Sequence, residues 1–351
     1  MAIKKIVLEN FTVFTNIELN FCDGVNVIIG ENGTGKTHLL KLLYALCNYE
    51  YNETALKEDF HERFKEELFK VFPGDDDIKL IRNHEYNQNI NVNILNELPK
   101  AVLKISFVSN NKKHNLTLLF HMYRYNEINP SHGNARKKKM KIPAIFIPAK
   151  DMLSHAGLEK DFAERNLPFD ASHIDILNKA GVSTLKNIDK SMHTIMTGIS
   201  EIIGGRIVYK YDKYFVEKHN GMTVEFAMEA EGFKKLGTLY RLIDTGYLKK
   251  GHVLIWDEPE ANLNPKMIPV VVDILLKLAG SGVQIFLATH DYNLMKYFSV
   301  KNADDQVVFI SLYKTDNGVA SEIENDYNLL EHNAIVEANI KLLEDDIDGV
   351  L

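Results

Sequence analysis

Cysteine is nearly absent from this sequence: Cys22 and Cys47 are the only two in 351 residues. Neither stands in a C-x-x-C pair, so neither a disulfide framework nor a zinc or dithiol centre organises the fold, and both read as reduced core residues. Long apolar runs are missing as well. Val270-Val271-Val272 with Ile274-Leu275-Leu276 is interrupted by Asp273 and Lys277, far short of the ~20 residues a membrane span needs. The opening Met1-Ala2-Ile3-Lys4-Lys5-Ile6 enters strand-like alternation without an apolar secretory region, which predicts a cytosolic protein with no membrane partner. Excess charge is lacking too. A net charge of −7 and a pI near 6.0 exclude a whole-protein attraction to nucleic acid and leave only local basic patches. The thirteen histidines, His114 and His121 among them, are scattered without i, i+4 pairing or cysteine neighbours, so no zinc site is read. No internal repeat and no low-complexity tract occurs.

What is present is a globular composition, 45% hydrophobic, in a chain long enough for two domains or one large domain with an insertion. Alternation predicts strands at 3–8, 17–21 and 25–29, then a glycine-rich turn, then a helix from Lys36 whose apolar face is Leu39, Leu40, Leu42, Leu43, Leu46 and Cys47. A charged amphipathic helix is expected over 54–72, closed by Pro73-Gly74 and an acidic loop, Asp75-Asp76-Asp77. Strands at 101–108 and 115–123 around Asn110-Asn111-Lys112-Lys113, with a third at 142–147, are expected to extend a sheet of the first lobe. The stretch 151–203 reads as a polar helical insertion. A hairpin of Ile207-Val208-Tyr209 with Thr223-Val224-Glu225-Phe226 across Asn220-Gly221 follows. Helices and strands then alternate: a helix at 232–247, a strand at 253–256, a helix opening at Pro265, a strand at 283–287 and a short helix after Asp291. That order predicts an α/β fold with a mainly parallel sheet. Strands at 307–313 and 319–323 and a helix over 326–344 complete the pattern.

Gly30-Glu31-Asn32-Gly33-Thr34-Gly35-Lys36-Thr37 matches G-x-x-x-x-G-K-[ST] between a strand and a helix, the context that phosphate binding requires. Glycines let the backbone double back so that successive N–H groups face phosphate oxygens, and the helix beginning near Lys36 adds the positive end of its dipole. Lys36 is expected to bridge the β- and γ-phosphates of ATP, and the Thr37 hydroxyl to ligate Mg²⁺. Far along the chain, Val253-Leu254-Ile255-Trp256 runs into Asp257-Glu258-Pro259, two carboxylates at the carboxyl edge of a parallel strand, where α/β proteins bind ligands. Asp257 is expected to orient Mg²⁺ through its water shell, and Glu258 to polarise the attacking water. His290, after the next strand, is expected near the γ-phosphate. Trp256 should point into the core.

Together these residues resemble the ABC-class ATPases of the SMC, RecF and OLD type, particularly the stand-alone AAA-family ATP-binding proteins of bacterial defence loci. The resemblance rests on Ile6-Val7-Leu8-Glu9-Asn10-Phe11 through Phe14, on Gly30–Thr37, and on Asp257-Glu258-Pro259-Glu260, Asn262-Leu263-Asn264-Pro265 and Ala288-Thr289-His290 in that order. It implies a P-loop ATPase head with an antiparallel N-terminal β-subdomain and a helical insertion: one lobe over 1–150, the insertion over 151–203 and a second lobe over 204–351. It also implies heads that meet face to face, Asn262 and Asn264 in a loop crossing that interface, and His290 as a switch histidine. The signature segment departs from the family. Glu231 in Ala230-Glu231-Gly232-Phe233-Lys234-Lys235-Leu236 stands where a serine is usual, and an anion beside a triphosphate is unfavourable without a cation, here Lys234 or Lys235. Lys150, after Pro148-Ala149, is the candidate for the family's Q-loop position. No long heptad arm is present, which disfavours a chromosome-scale role. After His290 comes no metal-binding constellation of the kind a nuclease needs, so a cutting partner is expected on a separate chain.

The densest basic run, Arg136-Lys137-Lys138-Lys139 with Lys141, near Tyr123 and Tyr125, is the one candidate nucleic-acid contact. Leu329, Leu330, Ile335, Val336, Ile340 and Leu343 are available for packing on the same head or on another copy of the chain. The expectation is an ATP-hydrolysing switch that associates with itself and controls a separate effector in anti-phage defence. The alternatives are a RecF-like ATP-dependent DNA binder and a non-catalytic nucleotide-sensing scaffold.

Overall fold

The computed structural model describes residues 2–48, 64, 66–72, 100–109, 112–121, 141–157, 169–302 and 306–350. The acidic loop at 75–77, the basic run at 136–139 with Tyr123 and Tyr125, and the first half of the helix expected over 54–72 lie outside these residues. The chain forms two compact units that interleave along the sequence: residues 1–21, 28–141 and 308–351 in the first, 22–27 and 142–307 in the second.

In the first unit, β1 (Ala2–Phe11), β2 (Phe14–Asn20), the end of β3 (Val25–Gly30), β4 (Lys100–Ser109), β5 (Lys112–His121), β12 (Val307–Thr315) and β13 (Gly318–Glu324) line up in the order β5-β4-β1-β2-β13-β12-β3. Ile3, Ile6, Leu8 and Phe11 all turn inward. Regular alternation would put Ile3 and Ile6 on opposite faces, and a register shift between Ile3 and Lys5 against β4 brings them to one. β1 and β2 are antiparallel, closing at Phe11 opposite Phe14 across a two-residue turn in which Thr12 has φ +49°. The helix α1 (Lys36–Asn48) follows β3 and buries Leu39, Leu40, Leu42, Leu43 and Cys47, the face read from its 3.6-residue period apart from Leu46, which is half-buried.

The second unit is built on parallel strands. β6 (Ala144–Ile147) pairs with β10 (Val253–Asp257), and β10 with β11 (Gln284–Ala288), in the order β3-β11-β10-β6. Thus 142–147 does not extend the β4–β5 array as its proximity in sequence suggested. Its four residues are all buried, although β6 stands last in the strand order and pairs with β10 alone among the described strands. Helices α2 (Ala171–Gly181), α3 (Lys190–Ile203), α4 (Glu231–Asp244), α5 (Ile268–Gly280) and α6 (Tyr292–Lys301) complete this unit. Its small second sheet is a three-stranded meander, β7 (Gly205–Lys210), β8 (Lys213–Lys218) and β9 (Thr223–Glu225). The hairpin expected between 207–209 and 223–226 is therefore corrected: β8 stands between them, and β7 turns into β8 at Tyr211 and Asp212, with φ +54° and +57°. A final helix, α7 (Ala334–Val350), begins eight residues later than expected, because Tyr327–Leu329 forms a separate turn of 3₁₀ helix.

Candidate nucleotide site

In the first unit the fully buried strand β3 ends at Gly30, and the loop to α1 depends on three glycines with positive φ: Gly30 at +146°, Gly33 at +82° and Gly35 at +90°. The three differ in what surrounds them. A Cβ on Gly30 would lie 2.2 Å from the Leu312 carbonyl oxygen, and one on Gly35 2.5 Å from Val13, whereas one on Gly33 would meet nothing within 4 Å. Gly30 and Gly35 are thus wedged between neighbouring strands, and Gly33 forms the open lip of a concave loop. Thr34, fully buried, donates from its hydroxyl to the Glu31 carbonyl at 2.8 Å and braces the turn. Lys36 is only 9% exposed, and its ammonium lies inside the loop, donating to the carbonyls of Gly30 at 2.7 Å and Glu31 at 3.0 Å. The Leu39 amide donates to Gly35 at 2.8 Å, so the helix is already wound at the loop's end. Asn32 is exposed at the lip and Thr37 half-buried on the first turn.

Sequence reasoning passed over one residue here. Lys314 of β12 donates to the Glu31 carboxylate at 2.9 Å, and its hydrogen bond and charge hold that carboxylate below the usual range. A lone lysine late in a strand carries no signal of such a partner.

In the second unit, β10 and β11 end side by side, with Asp257 opposite Ala288. The chain then bends sharply, because Glu258 adopts the left-handed conformation with φ +49°. Its amide donates to the Ala288 carbonyl at 3.0 Å, and its own carbonyl accepts from the Ala261 amide at 3.1 Å. The Glu258 carboxylate, partly exposed, stands 3.4 Å from His290 Nδ1, so the two residues chosen for chemistry from the sequence are neighbours in the fold. Beneath them is Glu260, which the sequence offered only as part of a motif. It is 8% exposed and accepts from the Thr289 hydroxyl at 2.7 Å and the His290 amide at 3.2 Å. Burial pushes its carboxyl up while these bonds pull it down. Its second oxygen, Oε2, is buried without a hydrogen-bond partner. Thr289 also accepts from the Asp291 amide at 3.0 Å, and Asp291 caps α6 through the Leu294 amide at 2.7 Å. His290 is thereby fixed between a buried carboxylate and a helix start. Asn262, exposed with φ +61°, and Asn264, whose side chain accepts from the Lys266 amide at 3.0 Å, shape the loop that follows.

The signature-like segment belongs to the same unit. α4 begins at Glu231 with no side-chain cap at Ala230, and a carboxylate in the first turn complements the helix dipole. Glu231 accepts from Lys234 at 2.9 Å, with Asp151 3.8 Å from the same ammonium, so a cation does sit at the anomalous carboxylate. Gly232 packs on the neighbouring loop: an added Cβ would come within 3.3 Å of Met267 and 3.5 Å of Leu263. Trp256 is fully buried, as its strand parity predicts, and its indole N–H has no hydrogen-bond partner. Lys150 is exposed, at the rim of a small cavity that Lys234, Lys235 and Trp256 also line.

The donor sets suit a magnesium nucleotide. A glycine-rich loop with a buried lysine in the first unit suits phosphate, and a carboxylate pair at a strand end in the second suits a hydrated hard cation. Among the described residues no group of three or more His, Cys, Asp or Glu could hold a metal by itself.

Known proteins extend this picture. The family described as "AAA domain, putative AbiEii toxin, Type IV TA system" matches residues 25–296. The DNA replication and repair protein RecF of Clostridium botulinum (strain Alaska E43 / Type E3) is 25% identical over 239 residues, covering 63% of this chain and 64% of that one. RecF of Listeria welshimeri is 42% identical over 67 residues, 19% of this chain and 18% of its own. This chain thus spans less than two thirds of the RecF proteins it matches. Among solved structures, an Smc head bound to the C-winged helix domain of ScpA aligns over 92% of this chain and 98% of its own, at 14% identity and a TM-score of 0.52. An Smc head with an extended coiled coil, bound to the C-terminal domain of ScpA derived from Pyrococcus furiosus, aligns over 98% and 99%, at 14% identity and a TM-score of 0.50. These likenesses establish the fold.

Proposed function

The chain belongs to this AAA-domain family, as an ABC-class ATPase of the SMC/RecF type, and from that premise we propose that it binds Mg–ATP, hydrolyses it, and uses the nucleotide state to control its own association and a separate effector. The observation that carries the reading is the left-handed strand-end glutamate, Glu258, held beside His290 in the second unit, in a chain whose first unit buries the P-loop lysine, Lys36. In this reading residues 1–150 and 204–351 are the lobes of an ATPase head and 151–203 an insertion.

Amides of Gly30 to Thr37 and the Lys36 ammonium bind the phosphates, displacing the Lys36 side chain from its carbonyl partners. The Thr37 hydroxyl, and Asp257 through water, would hold Mg²⁺, which would supply neutralisation of phosphate charge. Glu258 takes a proton from the water whose oxygen bonds to the γ-phosphorus as the bond to ADP breaks. His290, 3.4 Å away, orients the Glu258 carboxylate, and Glu260 fixes the backbone of His290. Lys234 screens Glu231, so that a phosphate approaching the start of α4 meets an ion pair and not a bare anion. Asn262 and Asn264 are assigned to the interface between copies, and Arg136 to Lys139 to contact with nucleic acid. The effector role in bacterial defence draws support from the family's own description, which names a toxin and a toxin–antitoxin system.

The test is Glu258→Gln, followed by turnover, ATP binding and solution mass. Turnover should fall at least about a hundredfold with ATP binding retained, and Mg–ATP should raise the mass of the trapped variant. Turnover at the wild-type rate in this variant would sink the assignment of the base, and a constant mass would sink ATP-driven association.

A further inference from the structure

The second turn of α4 carries two adjacent lysines with different partners. Lys234 pairs with Glu231. Lys235 turns the other way: it is 8% exposed, its ammonium lies 5.9 Å from the centroid of the Trp256 ring, and it donates to the backbone carbonyl of Glu258 at 3.0 Å. An ammonium is buried only where carbonyls, carboxylates or a ring face replace its water. Burial pushes Lys235 down to about 8, against the pull of Glu260, Glu231, Glu258 and Asp151.

The acceptor is what gives this contact meaning. Glu258 has φ +49°, a conformation that a non-glycine residue holds only where its surroundings over-determine it. Three hydrogen bonds do so. The Glu258 amide is tied to Ala288 and its carbonyl to the Ala261 amide, both within the strand ends and their turn. The third comes from Lys235, on a different element, and is the charged one, hence the strongest of the three. Rotation of the backbone at residue 258 toward an ordinary conformation would carry the carbonyl off the ammonium and the carboxylate away from His290 together.

We propose that Lys235 is a positioning residue for Glu258: its ammonium pins the Glu258 carbonyl and so keeps the carboxylate at His290, linking the start of the signature-like helix to the hydrolytic base within one chain. The inference rests on the reading of Glu258 as that base. It also explains why two lysines stand together at this point, one for the anomalous Glu231 and one for the strained turn.

The experiment uses the full chain and compares Lys235→Met, Lys235→Arg and Glu258→Gln in steady-state ATP hydrolysis and in binding of a fluorescent ATP analogue. Lys235→Met should lower kcat about tenfold or more while KM and analogue affinity stay within about twofold, and Lys235→Arg, which keeps a charged donor, should recover most of kcat. Added to Glu258→Gln, Lys235→Met should cost nothing further, since it acts through the carboxylate already removed. A Lys235→Met kcat within about twofold of wild type, beside a Glu258→Gln that has lost turnover, overturns the inference and leaves the base intact. Turnover retained in Glu258→Gln overturns the base and the inference with it. Trp256, the only tryptophan, reports whether the core beneath Lys235 is formed. If Lys235→Met loses its buried emission, Lys235→Gln, a donor too short to reach the carbonyl, is read by the same two outcomes.

Discussion

Three glycines with positive φ look alike in the sequence and are unequal in the fold. Gly30→Ala places a methyl 2.2 Å from a backbone oxygen at φ +146°, and both strain and overpacking apply, for an expected loss of about 3 kcal/mol. Gly33→Ala meets open space and pays only for its φ of +82°, about 1–2 kcal/mol. Urea midpoints of the two variants check the contrast, and equal losses would contradict it. Lys235 carries a second expectation at this scale. Its value in the fold is about 8 against an ordinary 10.5, so between those pH values the unfolded chain binds more protons than the folded one. Stability contributed at this residue therefore rises with pH across that window. Wild type should gain on Lys235→Met between pH 8 and pH 10 in denaturant titrations, and a flat difference would refute the burial argument. Lys36, Thr37, Asp257 and Glu258 were legible because each sits in a motif tied to a strand end. Lys314 and the contacts of Glu260 and Lys235 were not, because each is made with a partner distant in sequence or with a backbone carbonyl, and neither leaves a spacing to read.

Among the elements, those with strong periodicity and a chemical start or stop were readable. The helix after Asp291 is the clear case: its capping carboxylate accepts from the Leu294 amide at 2.7 Å. Asp291→Ala should cost about 1 kcal/mol through loss of this cap, while the backbone amide that donates to Thr289 is kept. Calorimetric Tm checks the effect, and an unchanged Tm would mean the cap contributes nothing. Other elements were misread for identifiable reasons. β8 escaped because the turn before it uses Tyr211 and Asp212 in left-handed conformations, without the Asn-Gly or Asp-Gly pair that marks such turns. The start of α7 was placed too early because Leu329 and Leu330 continue its apolar pattern in sequence, although Leu329 is 63% exposed and the chain there is a separate 3₁₀ turn. β6 was expected beside β4 and β5 and pairs instead with β10, because a short, fully apolar strand says that it is buried but not beside what.

For the whole molecule, residues 308–351 join residues 1–21 and 28–141 in the first unit, and residues 22–27 join 142–307 in the second, so each unit unites segments far apart in sequence. The distal part of α7 shows what such packing leaves out: Ile340, Leu343 and Ile347 are at least half exposed. Leu343→Glu should accordingly change stability by less than about 0.5 kcal/mol. A larger loss on chemical denaturation would show that this face is covered in solution.

The sequence by itself determined the fold class, the glycine-rich loop between β3 and α1 and the acidic strand end, because each is written in local signals: period-2 and period-3.6 patterning, glycines at fixed offsets, and carboxylates after an apolar strand. The tertiary structure alone decided which strands pair, that Glu258 is left-handed and shared between His290 and Lys235, and that Lys234 is the lysine that pairs with Glu231. Those are matters of non-local hydrogen bonding and burial, in which the energy of a group depends on the neighbours the whole chain brings to it and not on the residues beside it in sequence.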